Sequence, residues 1–254
     1  MPGGVLRPIM TTIETNLQDV RARLRRACDA AGRPADAVQL LAVSKTFDAD
    51  AVRQALAAGQ RAFGENYVQE GVEKILALDA ERSSAPIEWH CIGPLQSNKT
   101  RLVAGHFDWV HSVDRLKIAQ RLSEQRPDAL PPLQVCLQVN VDDGPNKAGV
   151  APAELGALAE AVAALPRLRL RGLMCIPEPT PDVATQRALF RRAAQCLADL
   201  QARGLSLDTL SMGMSDDLEA AVAEGATILR VGRAVFGHRP RKAAPGEAPT
   251  AAAG

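Results

Sequence analysis

Aromatic side chains are scarce in this chain: five Phe, two Trp and one Tyr among 254 residues. A core of this size must therefore be built from Leu, Val, Ile and Ala, within a hydrophobic share of 46%. Net charge is equally scarce. Thirty basic residues against 29 acidic leave +1, which argues against a nucleic-acid surface of the usual basic kind. No apolar run approaches the roughly 18 residues of a membrane span, and residues 1–10 lack the long apolar stretch of a signal peptide. The five cysteines (Cys28, Cys91, Cys136, Cys175, Cys196) show no C-x-x-C spacing and no framework, which fits a reducing, cytoplasmic setting. No His/Cys/carboxylate cluster has metal-ligand spacing, so no metal is expected.

What is present is an alternation. Apolar runs that read as strands cover 39–44, 61–64, 88–92, 109–112, 133–141, 168–174, 209–212 and 228–231. Amphipathic stretches at 50–58, 114–124, 153–165, 183–203 and 216–224 read as helices between them. A further helix is expected over 11–31, where Ile13, Leu17, Val20 and Leu24 recur at helical spacing. Eight strands alternating with helices predict a parallel sheet, and a chain near the ~250 residues typical of a barrel predicts a single (β/α)8 TIM-type barrel with an extra N-terminal helix. An open doubly wound sheet is the alternative, weakened because no G-x-G-x-x-G follows the first strand. The expected division is a flexible extension over 1–10, the barrel over 11–239, and a disordered Pro/Ala/Gly/Lys-rich tail over 240–254.

Barrels place their chemistry at strand carboxyl ends. Lys45 follows the first strand there. A partly desolvated amine in that position can act as a nucleophile toward carbonyls, although a strand-end lysine can equally face water. Glu65-Asn66-Tyr67 follows the second strand, His90 and His111 lie on the third and fourth, and Asn140 with Asn146-Lys147-Ala148-Gly149 follows the fifth. Gly213-Met214-Ser215-Asp216-Asp217 and Gly232-Arg233 follow strands seven and eight, the usual phosphate-binding loops of this architecture. Ser215 is expected to cap the helix starting near 216, with its hydroxyl and the following N–H groups facing an anion. Each feature singly has an ordinary explanation as a cap or turn. Together, an amine for an aldehyde and a cradle for a phosphate point to pyridoxal 5′-phosphate (PLP).

The segments Ala42-Val43-Ser44-Lys45-Thr46, Phe63-Gly64-Glu65-Asn66-Tyr67, Trp89-His90 with Ile92-Gly93-Pro94-Leu95-Gln96-Ser97-Asn98-Lys99, Leu210 to Ala221, and Arg230-Val231-Gly232 resemble the PLP homeostasis protein family (YggS/PROSC type) over about 11–239. The resemblance implies the PLP-binding barrel of the alanine-racemase group, with PLP held as an internal aldimine on Lys45 and a role in vitamin B6 homeostasis without strong catalysis. It makes Ser215 and Gly232 phosphate ligands and Arg230 the partner of the pyridine nitrogen. It puts Asn66, His90, Met174, Ser211 and Met214 around the same mouth and matches Lys147 to a lysine of secondary PLP exchange. Arg233 stands where the family usually has Thr or Ser, so a hydroxyl contact to phosphate is replaced by a guanidinium that either pairs with the phosphate or turns outward. Cys91 replaces an aromatic.

An Arg partner disfavours protonation of the pyridine nitrogen and weakens the cofactor as an electron sink. Racemases on this barrel add a second base, typically a Tyr from a further domain, whereas Tyr67 is the one tyrosine here. The expectation is therefore a cytoplasmic, monomeric PLP carrier or buffer, with PLP-dependent apo-enzymes as acceptors and neither nucleic acid nor membrane as partner. A PLP-dependent amino-acid racemase is the alternative. A barrel that binds another phosphorylated ligand, with Lys45 as an ion-pair partner, is the third reading.

Overall fold

The structure, a computed structural model, describes residues 12–82, 86–142 and 148–237. The expected extension 1–10, the tail 240–254 and Lys147 lie outside them. Eight parallel strands close into a barrel in sequence order: β1 (Gln39–Val43), β2 (Ala62–Glu65), β3 (Glu88–Cys91), β4 (Trp109–Val113), β5 (Leu133–Gln138), β6 (Leu168–Met174), β7 (Thr209–Ser211) and β8 (Ile228–Val231). β1 pairs with β8, Ala42 opposite Val231, which closes the ring and excludes the open sheet. The helices around it are α1 (Thr12–Ala30), α2 (Ala49–Ala57), α3 (Val68–Ala77), α4 (Asp79–Arg82), α5 (Thr100–His106), α6 (Leu116–Gln125), α7 (Pro152–Ala163), α8 (Val183–Ala202), α9 (Leu218–Ala223) and α10 (Arg233–Phe236). No described helix is long and apolar enough to cross a membrane.

Period-two alternation divides each strand between two cores. One face packs on the helices: Leu40, Ala42, Phe63, Trp89, Val110 and Leu229 belong to this outer layer. The other fills the barrel, where Leu41, Val43, Ala62, Ile92, Trp109, Cys136, Met174 and Ile228 form a separate cluster. With few rings available, Trp89 and Phe63 pack on each other outside (5.6 Å between centroids), while Trp109 fills the interior.

Three sequence expectations are corrected. The fifth strand ends at Gln138; Val139 still donates to the Met174 carbonyl but otherwise makes an isolated bridge to Val150. Helices α3 and α5, not foreseen, follow β2 and β3. Their glycines, Gly71 and Gly105, blurred the pattern. Gly71 is there because a Cβ would sit 2.7 Å from the Phe107 ring. The helix expected from 216 begins at Leu218.

Candidate functional site

Of the expected polar residues, Lys45, Asn66, Ser215 and Gly232 follow strands of one contiguous arc, β7–β8–β1–β2, at the carboxyl mouth. Lys45 is half-buried two residues past β1, and Gly232 is one past β8. A Cβ on Gly232 would lie 3.3 Å from the Val43 carbonyl oxygen, so the ends of β1 and β8 approach closely.

A buried ionic cluster fixes the backbone on both sides of Lys45. Ser44 Oγ donates to Glu65 Oε1 at 2.6 Å. Lys74 Nζ, from α3, donates to the Ser44 carbonyl (2.8 Å), Glu65 Oε1 (2.7 Å) and Glu70 Oε1 (2.7 Å). Glu70 Oε1 in turn accepts from Thr46 N at 2.6 Å. Thr46 has φ +69, an unfavourable region for a β-branched residue, and its Oγ1 is buried without a partner. Burial pushes the Glu65 carboxyl above its usual range, and Lys74 counters that shift. The Glu70/Lys74 spacing of four on a helix is a readable signal, but it was invisible while α3 itself went unread.

The loop after β7 is built for close approach. Gly213 has φ +90, and a Cβ there would come within 2.4 Å of Ala221 Cβ. Ser215 does not cap α9. That position belongs to Asp217, whose Oδ1 accepts from Met214 N at 2.5 Å. Ser215 is instead tied through its carbonyl to Arg23 Nη1 of α1 (2.6 Å), while the same guanidinium grips Glu219 through Nε (2.6 Å) and Nη2 (2.5 Å). Helix α1 therefore braces this loop, a role its sequence did not announce. Arg233 turns outward: its Nη2 donates to Asp216 at 2.7 Å, bridging the loops after β7 and β8 at an exposed position. Met214 is exposed at 36%, Asn66 is half-buried with its carbonyl against Gly93, and Met174 lies on the barrel floor at 1% exposure.

Arg230 is buried. Nη1 donates to Ser211 O (2.6 Å) and Ser211 Oγ (2.7 Å), and Nη2 to the Cys175 carbonyl (2.8 Å). Those bonds engage three of the five N–H groups of a guanidinium, leaving donors for a further acceptor. Burial pulls its pKa down, without removing the charge.

Contrary to the expectation that it lines the mouth, His90 is buried inside the barrel. The inward positions of β3 and its extension are Glu88, His90 and Ile92, so the imidazole occupies the middle layer. It is fully buried and stacked on Trp109 at 5.3 Å. Its Nδ1 is 2.8 Å from His111 Nε2 and its Nε2 is 2.8 Å from Glu88 Oε1, while His111 Nδ1 is 2.7 Å from Ser211 Oγ. Burial, with His90 and Arg230 adding, pushes the His111 pKa well below the histidine range. Burial raises the Glu88 carboxyl, but hydrogen bonds from His90, Gln39 and Trp109 more than offset this and hold it below the usual carboxylate range.

These residues fit PLP on their own features. An amine and a buried guanidinium stand on adjacent strands, glycine-lined loops flank them, and a buried hydroxyl beside the lysine, Thr46 Oγ1, lacks a partner.

Comparison with known proteins agrees with this geometry. Residues 15–240 match the family model "Alanine racemase, N-terminal domain". The chain is 63% identical to the pyridoxal phosphate homeostasis protein of Pseudomonas aeruginosa, covering 91% of this chain and 97% of that one. It is 54% identical to the protein of the same name from Escherichia coli, covering 91% and 98%. Among solved structures, PipY of Synechococcus elongatus with PLP bound superposes with a TM-score of 0.75 at 42% identity, covering 89% of this chain and all of that one.

Proposed function

The chain belongs to the pyridoxal phosphate homeostasis protein family, and from that premise we propose that it binds PLP at the carboxyl mouth of its barrel and holds it for delivery to other proteins. The observation that supports the proposal is the pairing of β1 with β8, which brings the strand end that leads into Lys45 against Gly232, with Arg230 buried one layer below.

When bound, PLP supplies an aldehyde that condenses with primary amines. Lys45 presents the amine, and the Glu65–Lys74–Glu70 cluster holds the peptides flanking it in place. Gly232 and the loop from Gly213 to Ser215 would hold the phosphate through backbone donors other than Met214 N–H, which Asp217 already accepts. Arg230 offers N–H donors to the pyridine nitrogen and, being a permanent cation, keeps a proton off that atom. Met174 and Ser211 would lie beneath the cofactor, and Asn66 and Met214 would form the walls. Arg233, engaged with Asp216, acts on the loop rather than on the phosphate.

Storage is favoured over turnover by the placement of possible second bases. Tyr67 is 56% exposed at the start of α3, while His90 and His111 are sealed inside the barrel. Neither arrangement offers a positioned base across the cofactor from Lys45. PLP-dependent apo-enzymes are the proposed acceptors, the cytoplasm the proposed location, and a monomer the proposed state.

The test is PLP transfer. Loaded protein mixed with an apo-enzyme should restore that enzyme's activity, and α-deuterium exchange into alanine or serine in deuterated water should stay at background. Rapid exchange catalysed through Lys45 would replace the carrier reading with the racemase one.

A further inference from the structure

We infer that Glu88, at the amino-terminal end of the barrel and away from the mouth that carries Lys45, is a positioning residue for Arg230, acting through one polarised hydrogen-bond chain that crosses the barrel. The inference rests on the reading of Arg230 as the partner of the pyridine nitrogen.

The chain runs Arg230, Ser211, His111, His90, Glu88, with links of 2.7, 2.7, 2.8 and 2.8 Å. It joins side chains of β8, β7, β4 and β3, all facing inward. Ser211, His90 and His111 have no exposed surface, and Arg230 has 5%. Glu88 is the one member open to solvent, with 39% of its side chain exposed beside a cleft of about 620 Å³ that also exposes Arg61, Arg169 and Arg171.

Its two ends set its direction. Arginine only donates, and a carboxylate only accepts. Arg230 donates to Ser211 Oγ, so the serine hydroxyl is free to donate onward to His111 Nδ1. Neutral His111 then carries its proton on Nε2 and donates to His90 Nδ1. His90 likewise carries its proton on Nε2 and donates to Glu88. Every buried donor and acceptor in the row is satisfied, with one tautomer at each ring. The reverse direction is the poorer one. A proton on His111 Nδ1 makes the Ser211 oxygen accept twice and leaves its own proton without an acceptor in the row, and His90 then either becomes a buried cation or turns a lone pair on the Glu88 carboxylate.

Two consequences follow from this polarity. Glu88 supplies the anion that terminates a row begun by a buried cation, and the row fixes the Ser211 hydroxyl that orients the guanidinium. Removing the terminal acceptor strands the His90 N–H inside the barrel, and the strain is relieved by tautomer change that propagates to Ser211. Such outer partners orient a site they do not touch.

The chain has only four histidines, so ring nitrogens are resolvable by ¹⁵N NMR on ligand-free, histidine-labelled protein. The expected result is Nε2–H on both His90 and His111. Glu88→Ala should give mixed tautomers at His90 and roughly tenfold weaker PLP binding with a shifted visible band. Glu88→Gln keeps an acceptor and should restore both readouts, which also guards against an Ala variant that is merely unfolded. A proton on Nδ1 of either ring in the parent protein, or Glu88→Ala binding PLP as the parent does, would overturn the inference. Failure of the parent to bind PLP would overturn the functional reading instead, and the tautomer measurement separates the two because it needs no PLP.

Discussion

Lys74→Met would leave the Glu65 carboxylate buried with no cation. Lys74 is 5% exposed and Glu65 1%, and the ammonium makes three hydrogen bonds of 2.7–2.8 Å. Removing one member of such a pair costs about 3–5 kcal/mol, because the other charge remains desolvated. For a domain of this size each kcal/mol lowers Tm by roughly 2–4 °C, so a loss of about 10 °C is expected at pH 8. The loss must depend on pH. Burial already raises the Glu65 pKa in the folded state, and Lys74 opposes that rise. Without Lys74 the folded pKa climbs further. A raised folded pKa gives stability that is present below the unfolded value and lost as pH rises through the folded one. The penalty of Lys74→Met should therefore be smaller at pH 5, where Glu65 can take a proton, than at pH 8. Replacing both partners, Glu65→Leu with Lys74→Met, should recover most of the loss. Thermal melts by circular dichroism at the two pH values measure this. A Tm within 2 °C of the parent at pH 8, or a larger loss at pH 5 than at pH 8, would refute the view that the cluster is a compensated buried pair.

Gly213→Ala forces a Cβ onto Ala221 at φ +90 and should cost about 1–3 kcal/mol in denaturant melts, with PLP affinity falling alongside; unchanged stability would show that the loop relaxes freely. Arg23→Ala removes an exposed pair worth under about 1 kcal/mol, so Tm should barely move, while PLP titration should show several-fold weaker binding once Ser215 loses its brace. Equal affinity would confine Arg23 to the surface. Glu88, with its folded pKa held below the usual range, contributes stability that is present above the unfolded carboxylate value near 4.3 and lost as pH falls through the folded one. Glu88→Gln should therefore flatten acid unfolding over that window, and an unaltered acid profile would contradict the assignment.

The barrel was readable because short apolar-rich segments alternate along the chain with amphipathic stretches, the pattern of a parallel sheet covered by helices. The overlong fifth strand shows the limit of that signal: Val139 and Val141 stay buried and apolar although the ladder ends at Gln138. Lys45 and Gly232 stood out because each closely follows a strand, where position alone implies the mouth. Lys74 did not, because its meaning depends on an ion cluster assembled from β1, β2 and α3. Nor did the Glu88-to-Arg230 row, whose His111 and Ser211 are 100 residues apart and meet only across a closed barrel. Ser215 was misread because a serine before an amphipathic stretch resembles a cap, whereas Asp217 is nearer the first helical turn.

The most direct measurement is reductive trapping: incubate the protein with PLP, record the visible spectrum, reduce with borohydride and map the labelled peptide by mass spectrometry. A visible band lost on reduction, with the pyridoxyl group on Lys45 alone and absent from Lys45→Ala, is the predicted result. No band, or label spread over surface lysines, would contradict the assignment of Lys45 and the site built around it.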